Sequence, residues 1–219
     1  MRRIKINEKI LSANDLIALE NRSIFDHHQA LVLNIISSPG SGKTSLIEET
    51  LRRLRDKRAT VIEGDIAGDL DANRIEPLAP SVLQINTDGS CHLDARMIRS
   101  ALDHLPEGRI DLILIENVGN LVCPAEFKVG EDHKVVILSV TEGDDKPLKY
   151  PLVFQLASVL VINKIDLIPY TDFNLVRFIN LTRQINPKIE VIKLSCRTKE
   201  GIEDWTQWIR KRLDDKNKG

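Results

Sequence analysis

Two runs of residues in this chain have the types and spacing to hold a nucleoside triphosphate. The first is Ser38-Pro39-Gly40-Ser41-Gly42-Lys43-Thr44, followed by Ser45 and preceded by the apolar run 31–36. A turn between a strand and a helix points backbone N–H groups at a phosphate, and the helix N-terminus adds a favourable dipole. Gly40 and Gly42 allow close backbone approach, Lys43 reaches the β- and γ-phosphates, and the Thr44 hydroxyl is placed to ligate Mg²⁺. The strict G-x-x-x-x-G-K-[ST] pattern is broken at its first position by Ser37, which fits if that residue needs no positive φ. A glycine-rich turn without a ligand is the alternative.

Roughly 120 residues on, Asn163-Lys164-Ile165-Asp166 follows the apolar run Val159-Leu160-Val161-Ile162. One carboxylate can accept both N1–H and the exocyclic amine of guanine, the role expected of Asp166. Asn163 is expected to donate to O6 or N7, and the stem of Lys164 to lie over the base. Adenine would leave the carboxylate unpaired, which makes GTP and GDP the expected ligands. A solvated Asn-Lys turn is the bland reading.

Acids close two further apolar runs, as Glu63-Gly64-Asp65 and as Glu116-Asn117-Val118-Gly119-Asn120. Ligands of open α/β sheets sit at such strand ends. With Lys43, Asp65 and Glu116 form the expected catalytic set, the two acids acting on Mg²⁺ directly or through water, and Gly119 touching the γ-phosphate. Helix capping or plain solvation is the alternative for both acids.

A third group is thiol and imidazole. Cys91-His92 precedes a helical stripe, and Cys123-Pro124 lies just beyond Gly119. Two thiolates and an imidazole suit Ni²⁺ or Zn²⁺, although isolated cysteines are usually buried small hydrophobes. Cys196, beside Arg197, shows only that bland character by itself. His27-His28 fits a solvated helix end, and His104 and His133 have no evident partner.

The elements that must position these groups alternate in the pattern of a parallel sheet covered by helices. Strands are expected at 31–36, 60–64, 81–85, 111–116, 134–140, 159–163 and 190–194. Helical stripes run through Ile47, Leu51 and Leu54, through Leu93, Met97, Ala101 and Leu102, and through Ile202, Trp205 and Ile209. The expected fold is α/β, a three-layer P-loop NTPase with a mostly parallel sheet of about seven strands. A helical extension is expected over 1–30, with Leu16, Ile17 and Leu19 as its apolar residues. The nucleotide domain is expected over 31–213 and a frayed tail over 214–219.

Composition agrees with a globular chain: 219 residues, 42% hydrophobic, 29% charged, net charge −1. No basic stripe points to nucleic acid, and no apolar run approaches the about 18 residues that span a membrane. The N-terminus lacks a secretory signal, and three cysteines argue against a disulfide framework, so a reduced, cytoplasmic protein is expected.

At these motifs the sequence resembles the hydrogenase nickel-incorporation GTPases of HypB type, relatives of the urease accessory GTPases. The matching stretches are Ser37 to Thr44, Glu63-Gly64-Asp65, Cys91-His92-Leu93-Asp94-Ala95, Glu116 to Ala125, Thr141-Glu142-Gly143-Asp144-Asp145-Lys146-Pro147 and Asn163 to Asp166. The resemblance covers residues 31 to about 210, and Cys-His-Leu-Asp-Ala is specific to the hydrogenase branch. It implies a dimerising P-loop GTPase in which Cys91, His92 and Cys123 bind nickel or zinc near the dimer interface. It also implies that Ser195, Cys196 and Arg197, in the loop ending at Gly201, line the base. Lys199 stands where relatives often have glycine, with a minor effect expected.

Some members carry an N-terminal Cys-rich nickel motif or a histidine-rich stretch; this sequence has neither, so a separate nickel site or storage role is not expected. The implied partners are a second copy, promoted by GTP, a small partner nickel metallochaperone, and a hydrogenase large-subunit precursor. Turnover is expected to be slow, because no motif supplies an arginine finger or catalytic glutamine. Arg74 is a candidate charge stabiliser, with surface solvation as its alternative; Lys146 and Lys149 are candidates to reach the nucleotide or the opposite subunit. A metal carrier using GTP only to dimerise, and a small-molecule phosphotransferase, are the rival functions.

Overall fold

The computed structural model describes residues 6–65 and 74–218, with side chains from Ile10 on and without that of Asp65. In chain order, α1 (Ile6–His27) precedes β1 (Leu31–Ser37), α2 (Lys43–Arg53), β2 (Ala59–Asp65) and β3 (Ser81–Asn86). Then come α3 (Ala95–Leu102), β4 (Leu112–Glu116), the single turn α4 (Cys123–Glu126) and β5 (His133–Ser139). The chain closes with α5 (Lys146–Lys149), α6 (Pro151–Leu156), β6 (Val159–Asn163), α7 (Leu175–Ile185), β7 (Glu190–Lys193) and α8 (Ile202–Lys216).

The strands form one sheet in the order β3-β2-β4-β1-β5-β6-β7, every pairing parallel. Burial on both faces explains why β1, β4 and β6 are near-continuous apolar runs: each is buried at every position. One face packs Leu33, Ile35 and Leu114 under Ile47 and Leu51 of α2 and Trp205 and Ile209 of α8. The other packs Val136 and Leu160 under Phe154 and Phe178, and Val32 and Ile113 under Phe25 of α1 and Ile98 of α3. β1 lies between β4 and β5, so the chain leaves it at the point where strand order reverses, and the crevice above its C-terminal end is open to a ligand. No helix among the described residues is long and apolar enough to cross a membrane.

Three elements differ from expectation. The apolar residues Leu16 and Leu19 of α1 are 65% and 66% exposed, whereas Asn14, Ala18, Asn21 and Phe25 face the protein. Those positions recur at helical spacing, and the two amides can be buried because each binds backbone groups across the interface. Leu93 is buried but lies ahead of α3, which starts at Ala95 because Asp94 caps it, its carboxylate accepting from the Met97 N–H at 2.8 Å. Finally, 214–216 belong to α8, which runs through Lys216, whose ammonium meets Asp26 at 2.8 Å and Asp132 at 2.9 Å.

Candidate nucleotide and metal site

The phosphate loop bridges β1 and α2. Gly40 and Gly42 have φ of 76° and 99°, and a Cβ at Gly42 would stand 2.4 Å from the Asn163 amide nitrogen. Only glycine serves there. Ser37 has no positive φ, so the serine is tolerated, and its hydroxyl accepts from Lys43 Nζ at 3.1 Å. Ser41 Oγ donates to the Ser38 carbonyl at 2.6 Å and closes the loop. Beside it, Gly119 packs so closely that a Cβ would lie 3.0 Å from Pro39 Cγ.

Pro39, Gly40, Gly42, Lys43, Thr44, Ser45, Glu116 and Gly119 line one cleft of about 630 Å³. Within it Thr44 Oγ1 donates to Glu116 Oε1 at 2.9 Å. These are hard oxygen donors side by side at the phosphate loop, a set that fits Mg²⁺. Asp65 ends β2, with its side chain outside the described ones, as is the segment 66–73, including the Asp71-Ala72-Asn73 run before Arg74. Arg74 itself pairs with Glu48 of α2 at 2.7 Å and reaches Ser45 Oγ at 3.4 Å. Lys146 and Lys149 pair with Glu142 at 3.5 Å and Asp145 at 2.6 Å.

An adjoining cleft is lined by Asn163, Lys164, Asp166, Cys196, Arg197 and Lys199. The Asp166 Oδ1 atom is buried with no hydrogen-bond partner among the described residues. A buried acceptor left bare costs about 1–3 kcal/mol, and guanine's two adjacent donors would satisfy it. Asn163, which lines this cleft, is engaged through both side-chain polar atoms. Its Nδ2 donates to the Ser41 carbonyl at 2.8 Å, and its Oδ1 accepts from the Lys164 and Cys196 N–H groups at 2.7 and 3.2 Å. The residue thereby ties the phosphate loop, the base motif and the 195–201 loop together. Lys164, at φ 62°, donates to the Gly40 carbonyl at 2.7 Å.

Ser195 is buried and does not line the cleft; its hydroxyl accepts from the N–H groups of Arg197 and Thr198 at 3.2 and 3.1 Å and so shapes the turn. Burial, reinforced by Glu49, pushes the Cys196 thiol up to about 12, which keeps it a neutral lining group. Lys199 has φ 72°, rare for a side-chain-bearing residue, and its ammonium binds Glu49 at 2.6 Å and the Cys196 carbonyl at 2.7 Å. The Lys199 side chain thereby anchors the 195–201 loop to α2.

Cys91, His92 and Cys123 come together: one ligand atom from each lies within 4.8 Å of the others. Cys91 Sγ is 3.5 Å from His92 Nδ1, and the cluster opens to solvent at Cys91. Burial holds the His92 pKa below its ordinary value, opposed by Asp94, so the ring favours the neutral form a metal needs. A hydrogen bond with Cys91, then burial, raises the Cys123 thiol. His92 also packs on Phe127, ring centroids 4.1 Å apart. Asn120 donates to the Cys91 carbonyl at 3.2 Å and accepts from Val122 N–H at 2.9 Å, spanning both sides of the cluster.

Asn117 carries a role that the motifs do not announce. It is buried at the end of β4, and its Oδ1 accepts from the N–H groups of Leu93 and Val118, both at 3.0 Å. An uncharged amide directly after the apolar Leu112–Ile115 and the acid Glu116 was the available signal. Among the other histidines, His133 has partners after all, Ser158 Oγ at 3.1 Å and the Trp208 ring at 5.3 Å. His28 meets the Gly108 carbonyl at 2.6 Å on the surface.

The family model for the CobW/HypB/UreG nucleotide-binding domain matches residues 31–193. Hydrogenase maturation factor HypB of Escherichia coli (strain K12) is 48% identical over 209 residues, covering 95% of this chain and 72% of that protein. A crystal structure of hydrogenase maturation factor HypB from Archaeoglobus fulgidus superposes with a TM-score of 0.87 at 36% identity, covering 92% of this chain and 99% of that one. A structure of HypB from Helicobacter pylori in complex with nickel gives a TM-score of 0.88 at 35% identity, over 93% and 96% of the two chains. With the phosphate loop, the base motif and the cysteine–histidine cluster in place, the chain belongs to the CobW/HypB/UreG family, on its HypB-type branch of hydrogenase maturation factors.

Proposed function

We propose that the protein binds and slowly hydrolyses GTP, and uses the change of nucleotide to hand nickel from Cys91, His92 and Cys123 to a hydrogenase large-subunit precursor. One observation carries this reading. The segment 116–119 touches both sites: Glu116 accepts from Thr44 in the phosphate loop, and the next residue, Asn117, holds the N–H of Leu93 beside His92. A shift of this segment on gain or loss of the γ-phosphate therefore moves one metal-bearing loop. Cys123, just past Gly119, would move with it.

Asp166 selects guanine by accepting from its two donors, and Lys164 covers the base. Lys43 and the loop N–H groups hold the phosphates, and Gly119 lets the segment after β4 pack against Pro39 of the loop. Thr44 and Glu116, with Asp65, would hold Mg²⁺, which when bound neutralises charge developing on the transferred phosphoryl group. Arg74 is committed to Glu48, which favours slow intrinsic turnover. Two thiolates and an imidazole accept nickel or zinc; nickel is favoured because the similar Helicobacter pylori protein is described in complex with it. A GTP-promoted homodimer, a small partner metallochaperone and action in the cytoplasm complete the proposal.

Nickel-loaded protein mixed with GTP and a colorimetric chelator tests it, with phosphate release followed in parallel. Nickel capture should accelerate with hydrolysis in the wild type and not in Lys43→Ala. Equal capture in both would leave a carrier whose nucleotide serves only assembly, and phosphate appearing on an added small molecule would mark a phosphotransferase.

A further inference from the structure

The halves of the cysteine–histidine cluster come from separate segments, 91–95, which leads into α3, and 123–129, which opens with the single turn α4. Buried side chains of other elements join those segments by two routes. Along α1, Asn14 accepts from the Ala95 N–H at 2.9 Å and donates to the Lys128 carbonyl at 2.8 Å. Two turns later Asn21 donates to the Ala95 carbonyl at 2.8 Å and the Val129 carbonyl at 3.2 Å. Each amide thus holds both segments at once.

The second route runs through the sheet. Asn117 accepts from the Leu93 N–H at 3.0 Å and donates to Asn34 Oδ1 at 3.0 Å. Asn34 stands beside Lys134 in the β1–β5 register and donates to Glu131 at 3.4 Å. Glu131 pairs with Lys134 at 3.1 Å, and Lys134 donates to the carbonyls of Pro124 at 3.2 Å and Phe127 at 2.9 Å. That last step fixes the turn that carries Cys123 and the ring that packs on His92.

We infer that Asn14, Asn21, Asn34, Asn117 and the Glu131–Lys134 pair are positioning residues for the metal cluster, setting the separation of Cys91 and His92 from Cys123. The choice of residues supports this over simple stabilisation. An interior ion pair contributes little against an apolar replacement of the same shape. α1 buries two asparagines while leaving Leu16 and Leu19 in solvent. Apolar packing is non-directional and would not set a register between two loops, whereas directed hydrogen bonds do. The inference rests on the reading that Cys91, His92 and Cys123 hold a metal.

The test is Ni²⁺ titration of the reduced protein, read by thiolate-to-nickel charge-transfer absorption, with affinity for a non-hydrolysable GTP analogue measured on the same samples. The variants are Asn14→Ala/Asn21→Ala and Glu131→Gln/Lys134→Met, with Ile209→Val as a control lesion in the core on the opposite face of the sheet. Outer-shell losses typically lower metal affinity on the order of 10–100-fold, and that fall is expected in both double variants with an altered band. Measured without nickel, the analogue should bind within about twofold of wild type. Ile209→Val should change neither readout.

Unchanged nickel affinity and an unchanged band in the folded double variants would overturn the inference while leaving the metal site intact. A wild-type protein with no band that Cys123→Ser abolishes would overturn the metal reading and this inference with it. Should the double variants fail to fold, Asn14→Ala alone, which leaves no charge unpaired, decides by the same readouts.

Discussion

The nucleotide end and the metal end of the molecule are built in opposite ways. At the nucleotide end the ligand-facing residues are themselves the fasteners: Asn163 joins three loops, and Lys164 grips the Gly40 carbonyl. At the metal end the ligands do little of the fastening. Cys91 is exposed, and the supports are amides and an ion pair one step behind. A site whose own side chains lock its loops is preorganised and reports little of its surroundings. A site held from behind can be tightened or loosened through its supports, which suits the proposed role of releasing a cargo metal.

The sharpest way to break this contrast is Lys43→Ala. It should weaken GTP on the order of 100-fold or more by removing the charge that faces the phosphates, leaving nucleotide-free nickel affinity within about twofold; calorimetry of both ligands checks it. Next, Asp166→Asn should weaken GTP by roughly 10–100-fold and erase most of the preference over ATP, because the acceptor that pairs with guanine is gone. Competition binding of GTP, ATP and XTP reads it, with XTP gaining relative to GTP.

A smaller effect concerns pH. The Cys123 thiol must lose its proton to bind metal and is held above its ordinary value, so nickel affinity should keep rising between about pH 6.5 and 8.5, by at most about tenfold per pH unit for each proton released. Burial of His92 lowers its pKa and removes proton competition at that ring over most of this range. A nickel affinity that falls with rising pH would contradict the thiolate ligand. The smallest effect is Lys199→Gly. Loss of a half-exposed ion pair, about 0–1 kcal/mol, opposes relief of the left-handed backbone, about 1 kcal/mol, so Tm should move by no more than a few degrees while GDP release quickens. Thermal melts and stopped-flow release measure the two.

What was legible in the sequence follows the same division. The phosphate loop and the Asn-Lys-x-Asp motif are contiguous, each behind an apolar run, and their chemistry is local. The strands could be placed to within a residue or so because burial on both faces makes β1, β4 and β6 near-continuous apolar runs and the remaining strands carry shorter β-branched runs between them. The cysteine–histidine cluster was legible only as a set of suitable ligands, since a long stretch of chain separates His92 from Cys123. Its framework was not legible at all. Asn14 and Asn21 look like polar surface positions of a helix whose leucines suggest the opposite face, and the backbone groups they bind become neighbours only in the folded chain. The anchoring role of Lys199 was not visible, because its partner Glu49 lies 150 residues away.

The most direct test of the central claim is nickel affinity of the reduced protein with GDP and with a non-hydrolysable GTP analogue. The account predicts a difference on the order of 5–150-fold, matched by the same factor in the affinity for nucleotide with and without nickel. Identical nickel affinities in the two nucleotide states would contradict it, leaving a nucleotide site and a metal site that share a fold without sharing energy.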